Sequence, residues 1–427
     1  MERILIKGGY IVDPGNKREG VFDLLIEEGK ITKIEKEIKD ENCKLINAEG
    51  KYIRPGLIDM HCHLREPGRE DEETLLSGSL AGIKGGFTAL CCMPNTEPPI
   101  DNQGVVEYIY TEAKKINLID LYPVGAITKK REGKELTEIG ELKKAGVIAI
   151  SDDGNCVMNS ELMRRAMEYS KMFDLLVISH CEDLNLSSGG LMNEGFISSL
   201  LGLKGIPSQA ETIMVARDIE LACLTQAKVH IAHVSCKGSV ELIRRAKKEG
   251  IRITAETCPH YFSFTEEAVL GYNTNCKVNP PLRTALDVEA IKEGLKDGAI
   301  DVISTDHAPH ADFEKDIEFD QASFGIIGLE TALGVSLKEL VEKKIIGLSQ
   351  LVEKMSLMPA KILGLEKKGR ISLGEEADLI ILDLNKSWKV EKEKIVSKSK
   401  NSPYIDWILP GVVEYVFAKG RIISNKK

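Results

Sequence analysis

The sequence predicts an α/β protein: a (β/α)8 barrel that carries a small composite β domain built from both ends of the chain. Three observations lead there. Eight short apolar runs alternate with amphipathic segments through the middle of the chain. Glycine-broken, β-rich stretches occupy both ends. Several apolar runs end in histidine or aspartate, and a barrel of this kind gathers its functional groups at the C-terminal ends of its strands.

Residues 1–54 read as short strands. "RILIKGGYIVD" breaks at Gly8-Gly9, and "FDLLIEEGKITKIEKEI" reads as two strands joined by a Glu-Gly turn. Residues 367–427 have the same character in "GRISLGEEADLIILDLN" and "GVVEYVFAKGRIISN". The two ends together are expected to form one small β domain, with the barrel, residues 55–366, inserted between them. The barrel strands are expected in "LIDMHCHL", "FTALCCM", "LYPVGAI", "VIAIS", "LLVISH", "KVHIAHV", "IRITAET" and "DVISTD". Segments such as "ELMRRAMEYSKMF" and "SVELIRRAKKEG" supply the helices between them. A doubly wound open sheet is the competing architecture, but no G-x-G-x-x-G follows an early strand.

Bulk properties exclude several classes of function. At 427 residues, one large domain plus a smaller one is expected. No apolar run approaches the roughly 18–20 residues that span a bilayer, and charges interrupt the N-terminal stretch, so neither a membrane nor a signal peptide is expected. A net charge of −9 argues against nucleic acid as partner. Ten cysteines without a C-x-x-C pair read as reduced thiols in a cytoplasmic protein.

The first run ends in His61 and His63, in "IDMHCHLREPG". Residues i and i+2 of a strand share a side, so both can face the barrel mouth while Cys62 faces the helix layer. The fourth run leads into Asp152 and Asp153, and strand parity does not choose between them. The fifth ends in His180, the sixth in His233 and the eighth in Asp306. A lone histidine at a strand end is more often structural than a ligand, but this many ligand types on one rim point to metal. Four histidines and two aspartates exceed the needs of one tetrahedral ion, and two ions sharing a carboxylate would use them all. His230, three residues before His233, is expected to pack under the helix layer. His260 has an even chance of a purely structural place.

The stretches "DMHCHLREPG", "CMPNTEPPIDN", "SDDG", "HCED", "HVS", "NPPLR", "STDHAPH" and "FGIIGLET", in this order from residue 59 to 331, resemble the type I dihydroorotases of the amidohydrolase superfamily. The resemblance implies two zinc ions per subunit. His61, His63, Asp153 and Asp306 would hold one, and Asp153 would bridge to the other on His180 and His233. Substrate would be bound by His63, Leu64, Arg65, Asn95, Asn279 and His310, with the backbone at Phe324 and Gly325 closing over it. Cys236 stands where the family commonly has threonine after "HVS", and little effect is expected.

The implied reaction is the reversible cyclisation of N-carbamoyl-L-aspartate to L-dihydroorotate, the third step of pyrimidine synthesis. Asp306 would be the catalytic proton shuttle. Arg65 offers a planar fork for the substrate carboxylate, and Asn95 a further hydrogen bond. As partners the resemblance allows a second copy of the chain in a homodimer, or aspartate carbamoyltransferase. The competing functions are another cyclic amidohydrolase such as allantoinase, or an inactive scaffold subunit for aspartate carbamoyltransferase. Hydantoinases and allantoinases typically bridge their metals with a carboxylated lysine at the end of the fourth strand, and "VIAISDDG" has none. The charged segment 311–325 is expected to be a mobile cover over the site.

Overall fold

A computed structural model of the chain describes residues 3–40 and 42–424. Eight parallel strands form the large sheet: β1 (Leu57–Cys62), β2 (Phe87–Cys92), β3 (Asp120–Gly125), β4 (Ala149–Ile150), β5 (Leu176–Ser179), β6 (Val229–Ile231), β7 (Ile253–Thr257) and β8 (Val302–Ile303). Each pairs with its sequence neighbour. The ring closes just beyond β8, where Asp306 N donates to His61 O at 3.0 Å and His63 N donates to His307 O at 2.8 Å. An open doubly wound sheet is thereby excluded.

Burial on both sides explains why the strands read as continuous apolar runs. β1 and β2 are buried at every residue. Helices cover the outside. Ser160–Lys171 starts at Asn159, whose side chain accepts from the amides of Glu161 and Leu162, and buries Met163, Ala166, Met167 and Ser170 on one face. Lys237–Lys248 likewise buries one face, Ser239, Val240, Ile243 and Ala246. Gly86, Gly146 and Gly298 end helices in the left-handed conformation that glycine adopts without strain.

The two ends of the chain share a second, mixed sheet. Tyr52–Pro55 is its joint, parallel to Arg3–Asp13 on one edge and antiparallel to Leu379–Lys389 on the other. One face holds its own core of Ile6, Ile11, Leu24, Ile26, Ile53, Leu379, Ile381 and Phe417. The alternate residues Ile380, Leu382 and Val416 join the core of the barrel. The sheet therefore steadies the outside of the barrel and leaves the rim to the loops.

Candidate active site

Histidine and aspartate side chains converge at the C-terminal ends of the strands, around Asp153. Its Oδ1 lies 3.2 Å from His61 Nε2, 3.4 Å from His233 Nε2 and 3.6 Å from His180 Nδ1. Its Oδ2 lies 3.5 Å from His63 Nε2. Asp306 Oδ1 completes the group, 3.1 Å from His63 Nε2 and 3.7 Å from His61 Nε2. Asp152 turns away. It accepts from the amides of Ile127 and Thr128 at 2.8 and 3.0 Å and from the Thr128 hydroxyl, and so braces the loop after β3.

Three histidines are oriented from behind. His61 Nδ1 donates to Glu256 Oε1 at 2.7 Å, His63 Nδ1 to Asn95 Oδ1 at 2.7 Å, and His180 Nε2 to Glu182 Oε2 at 2.9 Å. Each contact orients its ring and turns the other ring nitrogen toward Asp153 or Asp306. His61 Nε2 is buried without a hydrogen-bond partner. His180 Nδ1 and His233 Nε2 stand only 2.8 Å apart. Facing acceptors of this kind suit a cation between them. Three overlapping sets could hold one: His61, His63 and Asp306; His61, Asp153 and His233; and Cys258, His260 and Asp306.

The electrostatics point the same way. Burial pushes the His61 ring down, but Asp153 and Glu256 outweigh it and hold the ring well above its ordinary value. His180 is likewise opposed by burial and held at about 10 by Asp153 and Glu182. Burial pushes the Asp153 carboxyl up, and the surrounding histidines pull it well below the usual range. The cluster calls for positive charge, which a divalent ion supplies.

Three of the residues that build this rim adopt left-handed backbone: Arg65 at φ 60°, His233 at 33° and Asp306 at 47°. Such strain in residues other than glycine gathers where function demands it. The turn at His233 also corrects the expectation for His230. That side chain does not pack under the helix layer. Its Nε2 lies 3.2 Å from Glu256 Oε2, inside the barrel beneath His61, and its Nδ1 meets Thr254 Oγ1 at 2.8 Å. The regular strand ends at Ile231, so alternation no longer separates the two histidines. His260 is buried beside Asp306 and Cys258, and its Nε2 has no hydrogen-bond partner.

A cavity of about 320 Å³ opens above the cluster. It is lined by His63, Arg65, Asn95, Asp153, His180, His233, Asn279, Asp306, His310, Phe324 and Gly325, together with Arg131, Gly154 and Ala308. Leu64 is absent from the lining. Its side chain packs in the core against Gly78, leaving only its backbone near the rim. Arg65 Nε donates to Pro309 O at 3.1 Å and pairs with Glu72, while Nη2 lies 3.3 Å from His310 Nε2. Asn279 Nδ2 donates to Glu182 Oε2 at 2.9 Å. Burial and the Arg65 charge push the His310 ring down to about 3, so it is neutral near pH 7.

Of segment 311–325, Phe324 and Gly325 line this cavity, and the segment is pinned by two lysines. Lys277 Nζ donates to Phe319 O and Asp320 O at 2.7 and 3.2 Å, and Lys315 Nζ to Ser323 O and Gly325 O at 2.7 and 3.0 Å. Cys236 stands at the N-cap of Lys237–Lys248 without a side-chain cap bond to the helix amides, its Sγ 3.2 Å from Ser239 Oγ and 3.4 Å from Glu211 Oε1, and does not line the cavity. Glu256, Glu182 and Arg131 were not foreseen from sequence. Only "HCED" hinted at one of them, by putting an acid two residues after His180.

Barrel, composite sheet and strand-end cluster together define a TIM-barrel amidohydrolase fold. Over 100% of its length the chain superimposes on the L-hydantoinase (dihydropyrimidinase) from Arthrobacter aurescens with TM-score 0.89, at 24% identity and 97% coverage of that chain. It does so on the dihydropyrimidinase from Brevibacillus agri NCHU1002 with TM-score 0.86, at 23% identity and 96% coverage. At such identity the likeness is one of fold. A family model described as "Dihydro-orotase-like" matches residues 50–239. The curated dihydroorotase from Acetivibrio thermocellus is 54% identical over 424 residues, 99% of each chain. That from Syntrophus aciditrophicus is 53% identical over 426 residues, 99% of this chain and 100% of the relative. The chain belongs to the dihydroorotase family.

Proposed function

We propose that the chain catalyses the reversible cyclisation of N-carbamoyl-L-aspartate to L-dihydroorotate and water, as a type I dihydroorotase in pyrimidine synthesis. The observation that carries this reading is the cluster itself: four histidines and two aspartates gathered on one rim, beside a cavity with a guanidinium in its wall. The aspartate after β4 favours the type I class, since no lysine lines the cavity among the described residues.

Two zinc ions would be held by these side chains, one by His61, His63, Asp153 and Asp306, the other by His180 and His233 with Asp153 as the bridge. When bound, such ions polarise an amide carbonyl and bring the pKa of water from 15.7 to about 7. Asp306 then moves the proton. In hydrolysis it takes one from the attacking water and gives it to the ring nitrogen that leaves, and in cyclisation the direction reverses. A positioned group of this kind is worth about 10²–10⁴-fold.

Arg65 recognises the carboxylate on C6 of dihydroorotate with the part of its fork that Pro309 and Glu72 leave free. Asn95 has its carbonyl engaged by His63, which leaves its NH₂ for substrate. Asn279, His310 and the backbone at Phe324 and Gly325 complete the wall, and segment 311–325 excludes water when substrate is bound. The ten free thiols suit a reducing cytoplasm. A second copy of the chain, or aspartate carbamoyltransferase, is the partner this reading looks for.

The test is metal analysis of the purified protein together with hydrolysis assays on dihydroorotate and allantoin. Two ions per chain with dihydroorotate as the faster substrate is the expected result. Faster hydrolysis of allantoin, or full activity with one ion, overturns it.

A further inference from the structure

Glu72 lies outside the cavity lining, yet its one carboxylate touches both groups expected to read the substrate carboxylate. It is 1% exposed. Oε2 forms an ion pair with Arg65 Nε at 2.9 Å, and Oε1 lies 2.9 Å from His310 Nδ1. We propose that Glu72 is the positioning residue for carboxylate recognition, holding Arg65 and His310 in the orientation in which they meet the ligand. The proposal rests on the reading of Arg65 given above and extends it to a residue that does not touch substrate.

The geometry explains why one acid suffices. Arginine carries five donors in a planar fork on a flexible stem. With Nε engaged by Glu72 and by Pro309 O, the plane of the guanidinium is fixed and its Nη groups are left for the cavity. The Glu72 carboxylate meets His310 Nδ1 at 2.9 Å, while His310 Nε2 lies 2.8 Å from Phe324 O and 3.3 Å from Arg65 Nη2, so the ring is held between the acid, the Phe324 carbonyl and the guanidinium. Glu72 also pairs with Arg69 Nη2 at 3.2 Å, and Arg69 pairs with Glu314 at 2.9 Å. The loop after β1 is thus tied to segment 311–325, whose Phe324 and Gly325 line the same cavity.

The experiment uses the metal-loaded full chain and two ligands: dihydroorotate as substrate, and dihydrouracil, the same ring without the carboxylate, as competitive inhibitor. Glu72→Gln keeps the size and removes the charge. Coupled neighbours typically interact strongly enough that KM for dihydroorotate should rise about tenfold, with kcat and dihydrouracil inhibition each within about twofold of the parent. In an Arg65→Met background the same change should add less than about twofold, since its effect passes through Arg65. Equal losses for both ligands, or full additivity with Arg65→Met, would make Glu72 a brace between two loops and overturn the proposal. Should Glu72→Gln fail to fold, Glu72→Asp carries the test by the same criteria. A parent protein that does not turn over dihydroorotate would overturn the proposed function instead. Arg65→Met acting equally on both ligands would overturn the carboxylate reading of Arg65, and the role of Glu72 with it.

Discussion

The two halves of the histidine cluster are built differently. His61 and His63, on β1, are backed by Glu256 and Asn95, and Glu256 is fully buried, with His230 and the Ser304 hydroxyl also on its carboxylate. His180 and His233, just after β5 and β6, have one acid behind them. Glu182 meets His180 and shares its charge with Asn279, while His233 Nδ1 has no hydrogen-bond partner. Groups behind a ligand set its orientation and basicity. The β1 half is therefore the more firmly preorganised, and should hold its ion more tightly than the other half.

His61 stands in two of the candidate sets and would hold the ion of the β1 half, so its loss should empty that half. Lewis-acid stabilisation is worth several kcal/mol, and His61→Ala should lower kcat/KM for dihydroorotate by about 10³-fold with that ion lost. Retention of that ion at full occupancy would break the comparison at its root. Next in size is Glu256→Gln, expected to weaken ion affinity by about 10–100-fold, measured by zinc titration against a competing chelator. Glu182→Gln should cost less, about tenfold at most, and only at the more weakly held ion. A larger loss from Glu182→Gln than from Glu256→Gln would invert the ranking. Smallest is Cys236→Thr, on the His233 side. It adds a hydroxyl at a helix start that lacks a side-chain cap, so stability should rise by about 0.5–1 kcal/mol with ion content unchanged, read from thermal unfolding.

Much of this was legible in the order of residues. The eight strands announced themselves because burial on both sides leaves little room for polar residues, and the composite sheet because both ends share short β segments broken by glycine. The ligand types at strand ends were visible for the same reason: they are the polar exceptions to apolar runs. What stood behind them was not. Glu256, in "IRITAET", reads as an ordinary charge at a strand end until the curvature of the barrel brings its side chain to His61. His230 was misplaced because alternation assumes a regular strand, and the chain leaves that geometry at His233. Asp152 and Asp153 differ only in which way the loop after β4 turns, and Leu64 points to the core because the chain bends at Arg65.

The hydrogen bonds that close the barrel carry a consequence for how the protein is made. His63 and Asp306 touch across 243 residues of sequence, and the main-chain bond from Asp306 to His61 is part of the last seam of the ring. During synthesis the β1 histidines leave the ribosome long before their partner exists. At about 5–20 residues per second, those 243 residues take roughly 12–50 s to add. Through that interval the half-barrel presents open strand edges and an incomplete set of donors. The seam and the cluster are then finished by the same few residues, so that barrel closure and readiness for metal arrive as one event.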